Sequence, residues 1–212
     1  MKFLRPKDDF PPVETASEEG LLAYGGDLSP KRLIAAYSRG IFPWYDSSQP
    51  VLWWSPDPRM VLFPENLKIS KSMKQLLKKE VFRVSFDSEF SEVMDQCANI
   101  QREGQTGTWI TAEMKQAYLE LHHMGIARSV EVWQEDQLVG GLYGIFLQEQ
   151  KIFCGESMFS RVSNASKAGF IHLVQKLAAE GVKLIDCQIY TPHLESLGAG
   201  EIPRSEFLKY LE

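Results

Sequence analysis

Cysteine is the first shortage. The chain carries three, Cys97, Cys154 and Cys187. An odd, widely spaced set has neither the even count of a disulfide framework nor the paired spacing of a zinc site. The four histidines are scattered and never fall as His-x-x-x-His, so no metal is expected. Reduced thiols are the simple reading, and they suit a cytoplasmic protein. Long apolar runs are missing too: nothing approaches the roughly 18 consecutive residues of a membrane-spanning helix. The start, Met1-Lys2-Phe3-Leu4-Arg5-Pro6-Lys7, has no apolar stretch of the signal-peptide kind. Membrane association is not expected. Neither is a polycation, because the formal net charge is -5. Any nucleic-acid contact must come from a local basic patch acting against that background, and no DNA partner is expected. Gly140-Gly141-Leu142-Tyr143-Gly144 does not match Gly-x-Gly-x-x-Gly, and no P-loop occurs. Glycines within a strand more often mark bulges or close packing.

What remains is a chain of 212 residues, 44% apolar, enough to bury a real core in one globular domain with an appendage or in two small ones. Residues 1–20 are rich in proline and acid and read as surface loop. Ser29-Pro30 opens a helix as a capping residue followed by proline at the first helical position; Leu33, Ile34, Ala36 and Tyr37 keep the period and Gly40 closes it. Residues 41–59 read as an aromatic loop with short extended pieces. Helices follow at 70–79, 89–101 and 111–124, the last opened by Thr111 and closed by Gly125. Strands are expected at 129–134, 137–147 and 151–159, antiparallel, then a helix at 164–180, a strand at 183–189 and short helices near 192–197 and from Pro203. The change of character lies loosely between residues 60 and 90. The division taken is a small loop-rich unit at 1–65 and an α/β (α+β) unit at 66–212, whose β–β–β–α–β order suits a mostly antiparallel layered sheet with helices packed on it.

Four segments carry candidate chemistry. In the aromatic loop, Trp44, Trp53 and Trp54 lie within eleven residues; such rings either build a small core or offer faces to nucleobases, worth about 1–3 kcal/mol per base. Residues 68–83 carry six basic side chains and one acidic one. On a helix, Lys71, Lys74 and Lys78 share a face while Met73, Leu76 and Leu77 anchor the other. That is either a solvated face or a surface for a phosphate backbone. In the strand around Glu156, alternation points Phe153, Gly155, Ser157 and Phe159 one way and Cys154, Glu156 and Met158 the other, barring a bulge at Gly155. A buried Glu156 needs a partner, a structural ion pair or a ligand. In the late strand, Asp186 and Gln188 are two apart and would share a face opposite Ile185, Cys187 and Ile189. They either line a site or mark a half-exposed strand.

As an ordered set, these segments resemble the leucyl/phenylalanyl-tRNA–protein transferase family. The resemblance runs through Gly20-Leu21-Leu22-Ala23-Tyr24-Gly25-Gly26-Asp27-Leu28-Ser29-Pro30, residues 39–44 and 52–59, and Gly107-Thr108-Trp109-Ile110-Thr111. It continues through residues 129–144 and 153–161, Asn164-Ala165-Ser166-Lys167, and residues 184–188 and 196–204. It implies an acetyltransferase-like (GNAT) C-terminal domain behind a small N-terminal one, with no cofactor and no coenzyme A. It implies transfer of Leu or Phe, and Met less well, from aminoacyl-tRNA to proteins with N-terminal Arg or Lys, marking them for degradation. Trp44 and Trp109 match the aromatics around the terminal adenosine, and Glu156 the residue that holds the donor's α-amino group. Asp186 and Gln188 match the pair that assists attack, with Asp186 either accepting a proton from the amine or only orienting it. Leu142, Phe153, Met158, Phe170, Leu173 and Ile185 are assigned to the side-chain pocket. Lys71, Lys74, Lys78, Lys79 and Arg83 are assigned to the grip on the acceptor stem. The residues themselves leave two other readings open, an acyl-coenzyme A-dependent N-acetyltransferase and a non-catalytic tRNA-binding module.

Overall fold

The computed structural model describes residues 2–100 and 108–212. Its N-terminal part is a four-stranded sheet and one helix. Strand β1 (Lys2–Leu4) runs parallel to β2 (Leu21–Gly25), which pairs antiparallel with β4 (Leu52–Trp54), and β4 in turn with β3 (Phe42–Pro43). Residues 2–20 are therefore tied into the fold rather than looped over it, because Leu4, Phe10 and Val13 are apolar enough to be buried. Helix α1 (Pro30–Tyr37) begins where the Ser-Pro pair predicts. Ser29 makes no side-chain cap, however; Asp27 accepts from its backbone N–H instead, at 2.9 Å. Trp53 is fully buried and its indole N–H donates to the Gly25 carbonyl at 2.9 Å, so this ring belongs to the core.

The second sheet has seven strands: β5 (Arg59–Leu62), β6 (Arg83–Phe86), β7 (Ala127–Gln134), β8 (Gln137–Leu147), β9 (Ile152–Ser160), β10 (Leu184–Gln188) and β11 (Gly200–Ile202), in the order β11-β5-β10-β9-β8-β7-β6. Every pairing is antiparallel except β9 with β10. Strand β5 lies within residues 1–65, so the large sheet draws on both expected units. Helices α3 (Phe90–Asn99) and α4 (Ala112–His123) cover one face. Helix α5 (Ala165–Ala179) covers the other and carries α2 (Lys71–Lys78) through Met73 against Ala168 and Ile171. Short helices α6 (Pro192–Ser196) and α7 (Arg204–Leu208) end the chain. Residue 101 of the helix expected at 89–101, and Gly107 of the Gly107–Thr111 motif, lie outside the described residues.

The helix starts follow their caps. Ser70 Oγ accepts from the Met73 N–H at 3.2 Å and Thr111 Oγ1 from Met114 at 3.1 Å. Strand β8 sorts the core by parity, as a period of two requires. Leu142 and Phe146 face α5, while Tyr143, Ile145 and Leu147 join the cluster of α3 and α4. Its glycines mark close approach. A Cβ on Gly140 would meet that of Ala165 at 2.7 Å, and one on Gly144 would meet the Cys154 carbonyl at 2.3 Å.

Candidate active site

The site sits where two strands stop agreeing. Strands β9 and β10 pair in parallel from Leu184↔Ile152 to Asp186↔Cys154 and no further, although both chains continue. On β9, Gly155 pairs with Gly144 and Ser157 with Tyr143, leaving Glu156 as an extra residue, a β-bulge. The bulge reverses which residues face which side. Ile152 and Cys154 pack with the α3–α4 cluster and Phe153 with α5, but beyond it Phe159 packs with the former and Met158 with the latter. The expected single face shared by Phe153 and Phe159 is thereby corrected. On β10 the register shifts after Asp186, and Gln188 adopts φ +60°, left-handed backbone that a residue with a side chain rarely takes.

Between the diverging strands lies a cavity of about 540 Å³. Leu142, Phe153, Met158, Phe170 and Ile185 line it, as do Trp44, Trp109, Glu156 and Gln188. Nine of the expected site residues thus meet in one space. Both tryptophans are half-buried. Trp44 is steadied by the Trp54 indole, which donates to its carbonyl at 2.7 Å.

Two expected members are absent from the lining. Leu173 is buried, three residues past Phe170 on α5, but it borders a separate small crevice with Phe86 and Arg128. Asp186 is the larger correction. It does not share a face with Gln188, because the left-handed turn swings Gln188 into the cavity while Asp186 stays on the opposite side. There its carboxylate accepts from Arg59, Nε to Oδ1 at 2.8 Å and Nη2 to Oδ2 at 2.7 Å, with both side chains 1% exposed. Oδ1 also accepts from the Gln188 backbone N–H at 3.0 Å.

Among the described residues Glu156 forms no ion pair. Its Oε2 accepts from the Tyr118 hydroxyl at 3.1 Å and its Oε1 from Gln188 Nε2 at 3.2 Å; behind Tyr118, the Tyr37 hydroxyl is bonded to that of Tyr118. Burial, opposed by the hydrogen bonds of Tyr37 and Tyr118, pushes the Glu156 carboxyl up to about 8. Burial and the neighbouring Glu156 charge raise both tyrosine hydroxyls, which keeps them donors. Burial, reinforced by Asp186, also pushes the Cys154 and Cys187 thiols up, the opposite of what a nucleophilic cysteine needs. Among the described residues no group of three or more acidic, cysteine or histidine side chains could hold a metal.

The basic side chains lie elsewhere. Lys71, Lys74, Lys78 and Lys79 are exposed, with no ion pair among the described residues. Arg83 is exposed with its guanidinium 5.1 Å from the Trp133 ring centroid. Sequence reasoning missed Arg59, Tyr118, Tyr37 and the cavity-lining His193. Arg59 fell within a recognised stretch, but its partner is 127 residues away and nothing local announces it. Among the described residues no helix is long and apolar enough to cross a membrane.

Residues 61–212 match the family described as leucyl/phenylalanyl-tRNA protein transferase, and residues 26–57 match its N-terminal domain. The chain is similar to the leucyl/phenylalanyl-tRNA–protein transferase of Christiangramia forsetii, 66% identical over 211 residues and covering 100% of both chains. The enzyme of that description from Flavobacterium johnsoniae is 60% identical, covering 96% of this chain and 95% of that one. Its counterpart from Saccharophagus degradans is 56% identical, covering 99% and 86%.

Proposed function

The chain belongs to the leucyl/phenylalanyl-tRNA–protein transferase family, and from that premise we propose that its cavity holds the amino acid of a charged tRNA while an acceptor's amino terminus attacks the ester. The enzyme moves leucine or phenylalanine, and methionine less well, to N-terminal arginine or lysine, marking the product for degradation. The observation that carries the assignment of the site is Glu156: a carboxyl group in a largely apolar cavity, served by neutral donors and with no ion pair among the described residues. An α-ammonium supplies that missing charge. Its hydrophobic side chain then lies toward Phe153, Met158 and Phe170. A cavity of about 540 Å³ is in the range of small-molecule sites, about 300–1,000 Å³. The terminal adenosine is assigned to the rings of Trp44 and Trp109, where stacking needs a free face.

The reaction is aminolysis. The neutral acceptor amine forms a C–N bond to the ester carbonyl, the C–O bond to the ribose breaks, and the proton lost by nitrogen ends on the ribose oxygen. An α-amine has a pKa of about 8, so roughly a tenth is neutral at pH 7, and positioning can supply much of the rate. Gln188 gives its amide N–H to Glu156, which leaves its carbonyl oxygen to accept from the attacking amine and aim it. Asp186 faces away from the cavity, so the reading drops it as proton acceptor and keeps it as the acceptor of the Gln188 N–H. The acceptor stem is assigned to α2 with Lys79 and Arg83. That helix rests on α5, the same helix that lends Phe170 to the cavity, so the basic helix and the cavity share one supporting element. Action on charged tRNA puts the protein in the cytoplasm.

The test is incubation with radiolabelled Leu-tRNA and a peptide beginning with Arg or, separately, with Ala. Label is expected in the first peptide only. An ester left intact in the presence of excess Arg-peptide rejects the reading.

A further inference from the structure

The buried pair between Arg59 and Asp186 does more than neutralise two charges. The Arg59 guanidinium reaches three things at once. It grips both oxygens of Asp186. Its Nη1 donates to the Gly40 carbonyl at 3.2 Å. It lies between two rings, 4.9 Å from the centroid of Phe42 and 4.7 Å from that of Phe207. Phe42 is itself a cavity wall, two residues before Trp44. On the other side of the pair, Asp186 Oδ1 takes the backbone N–H of Gln188, whose left-handed conformation is costly for a side-chain-bearing residue and persists only where its surroundings hold it.

We propose that Arg59 is a positioning residue for the transfer step, a clamp that sets Gln188 against the Phe42–Trp44 wall by holding Asp186 and the Gly40 carbonyl together. The inference rests on the reading above that Gln188 addresses the attacking amine. The five donors of a guanidinium form a planar fork. Here that fork satisfies a bidentate carboxylate and a carbonyl in one plane between two aromatic faces. An ammonium has the charge without the fork. The role of Asp186 follows: its oxygens are occupied by Arg59 and by the main chain, so it acts on the reaction through Gln188.

The experiment measures single-turnover and steady-state transfer of leucine from Leu-tRNA to an Arg-initiated peptide, with thermal melting as a check of folding. The variants are Arg59→Lys, Arg59→Gln, Asp186→Asn and the double variant Arg59→Gln/Asp186→Asn. A displacement of about 1 Å at a reacting group costs on the order of a hundredfold. Arg59→Gln and Asp186→Asn are each expected to lower kcat about that much, with KM for the charged tRNA nearly unchanged. The double variant restores a neutral hydrogen-bonded pair and is expected to recover most of the loss, a coupling that independent sites do not show. If Arg59→Gln fails to fold, Arg59→Lys carries the test, with kcat expected to fall about tenfold. A folded Arg59→Lys at the wild-type kcat overturns the proposal. So does a folded double variant as slow as Asp186→Asn, the result expected if Asp186 were the proton acceptor. A wild-type protein that transfers no leucine rejects the reading of the cavity itself, and the clamp with it.

Discussion

Asp186 and Glu156 stand on adjacent strands, Asp186 on the last shared rung of their ladder and Glu156 two residues past it, and they are solved in opposite ways. Asp186 meets a cation in two short hydrogen bonds and is closed to the cavity. Glu156 meets two neutral donors, lines the cavity, and has its proton affinity raised by burial. A carboxylate matched with a buried cation is finished, and removing it exposes the cost of the partner. A carboxylate given only hydroxyl and amide neighbours is incomplete, and that is a property of use to a binding site. The contrast separates the residue that holds the shape from the residue that receives the substrate.

The strongest way to break this contrast is Asp186→Ala, which strands the Arg59 guanidinium among aromatic rings. A loss of about 3–5 kcal/mol in chemical unfolding is expected; a loss below 1 kcal/mol would show that water reaches Arg59 and that the pair is not sealed. Next is Glu156→Gln, which keeps shape and removes charge. Loss of a hydrogen bond to a charged group, about 1.5–3 kcal/mol, predicts a transfer efficiency roughly ten- to a hundredfold lower. The same variant has a signature in stability. The native Glu156 carboxyl holds its proton up to about 8, whereas an unfolded one releases it near 4.3. Between those values the native state binds the extra proton, so stability contributed by this group falls as pH rises and levels off above about 8. Thermal melts at pH 5, 6.5 and 8 without tRNA should fall for the wild type more steeply than for Glu156→Gln. Parallel slopes would mean that Glu156 titrates normally.

Smaller effects sharpen the comparison at its apolar end. Met158→Ala is expected to change the Leu:Phe ratio by about 1–2 kcal/mol of discrimination, within the range one pocket contact supplies. Leu173→Ala should leave that ratio alone while costing about 2–5 kcal/mol of stability, because Leu173 packs beside the cavity without facing it. A shifted ratio in Leu173→Ala would return it to the pocket. Cations without anions give the mildest case. Lys74→Ala is expected to raise KM for charged tRNA a few-fold and to lower the steepness of its salt dependence by about one unit, with kcat unchanged.

Much of this arrangement was legible in residue order. The helix opened by Thr111 and the anchoring of the basic helix by Met73 are local properties, and they appear where the sequence predicts them. Five of the six apolar residues assigned to the pocket line the cavity, Leu173 being the exception, but Phe42, Ile100, Phe159 and Leu194 line it without having been assigned to it. What was not legible depends on events that side-chain alternation does not encode. The bulge at Glu156 and the left-handed turn at Gln188 each break the period of two, and neither falls at a glycine; the only local hint was Gly155. The partnership of Arg59 with Asp186 and that of Glu156 with Tyr118 span 127 and 38 residues, so no window of sequence contains them. The first strand was not legible because Leu4 is the one buried residue of its three, next to a charged and proline-rich stretch.

The parting of β9 from β10 has a consequence of its own. The opening is cut by the course of the main chain, through one surplus residue and one reversed turn, and the side chains merely upholster it. Trimming or enlarging Leu142, Met158 or Phe170 therefore re-tailors the berth without shutting it. Such an architecture lets descendants drift in the cargo they accept while the doorway and its bolt stay put.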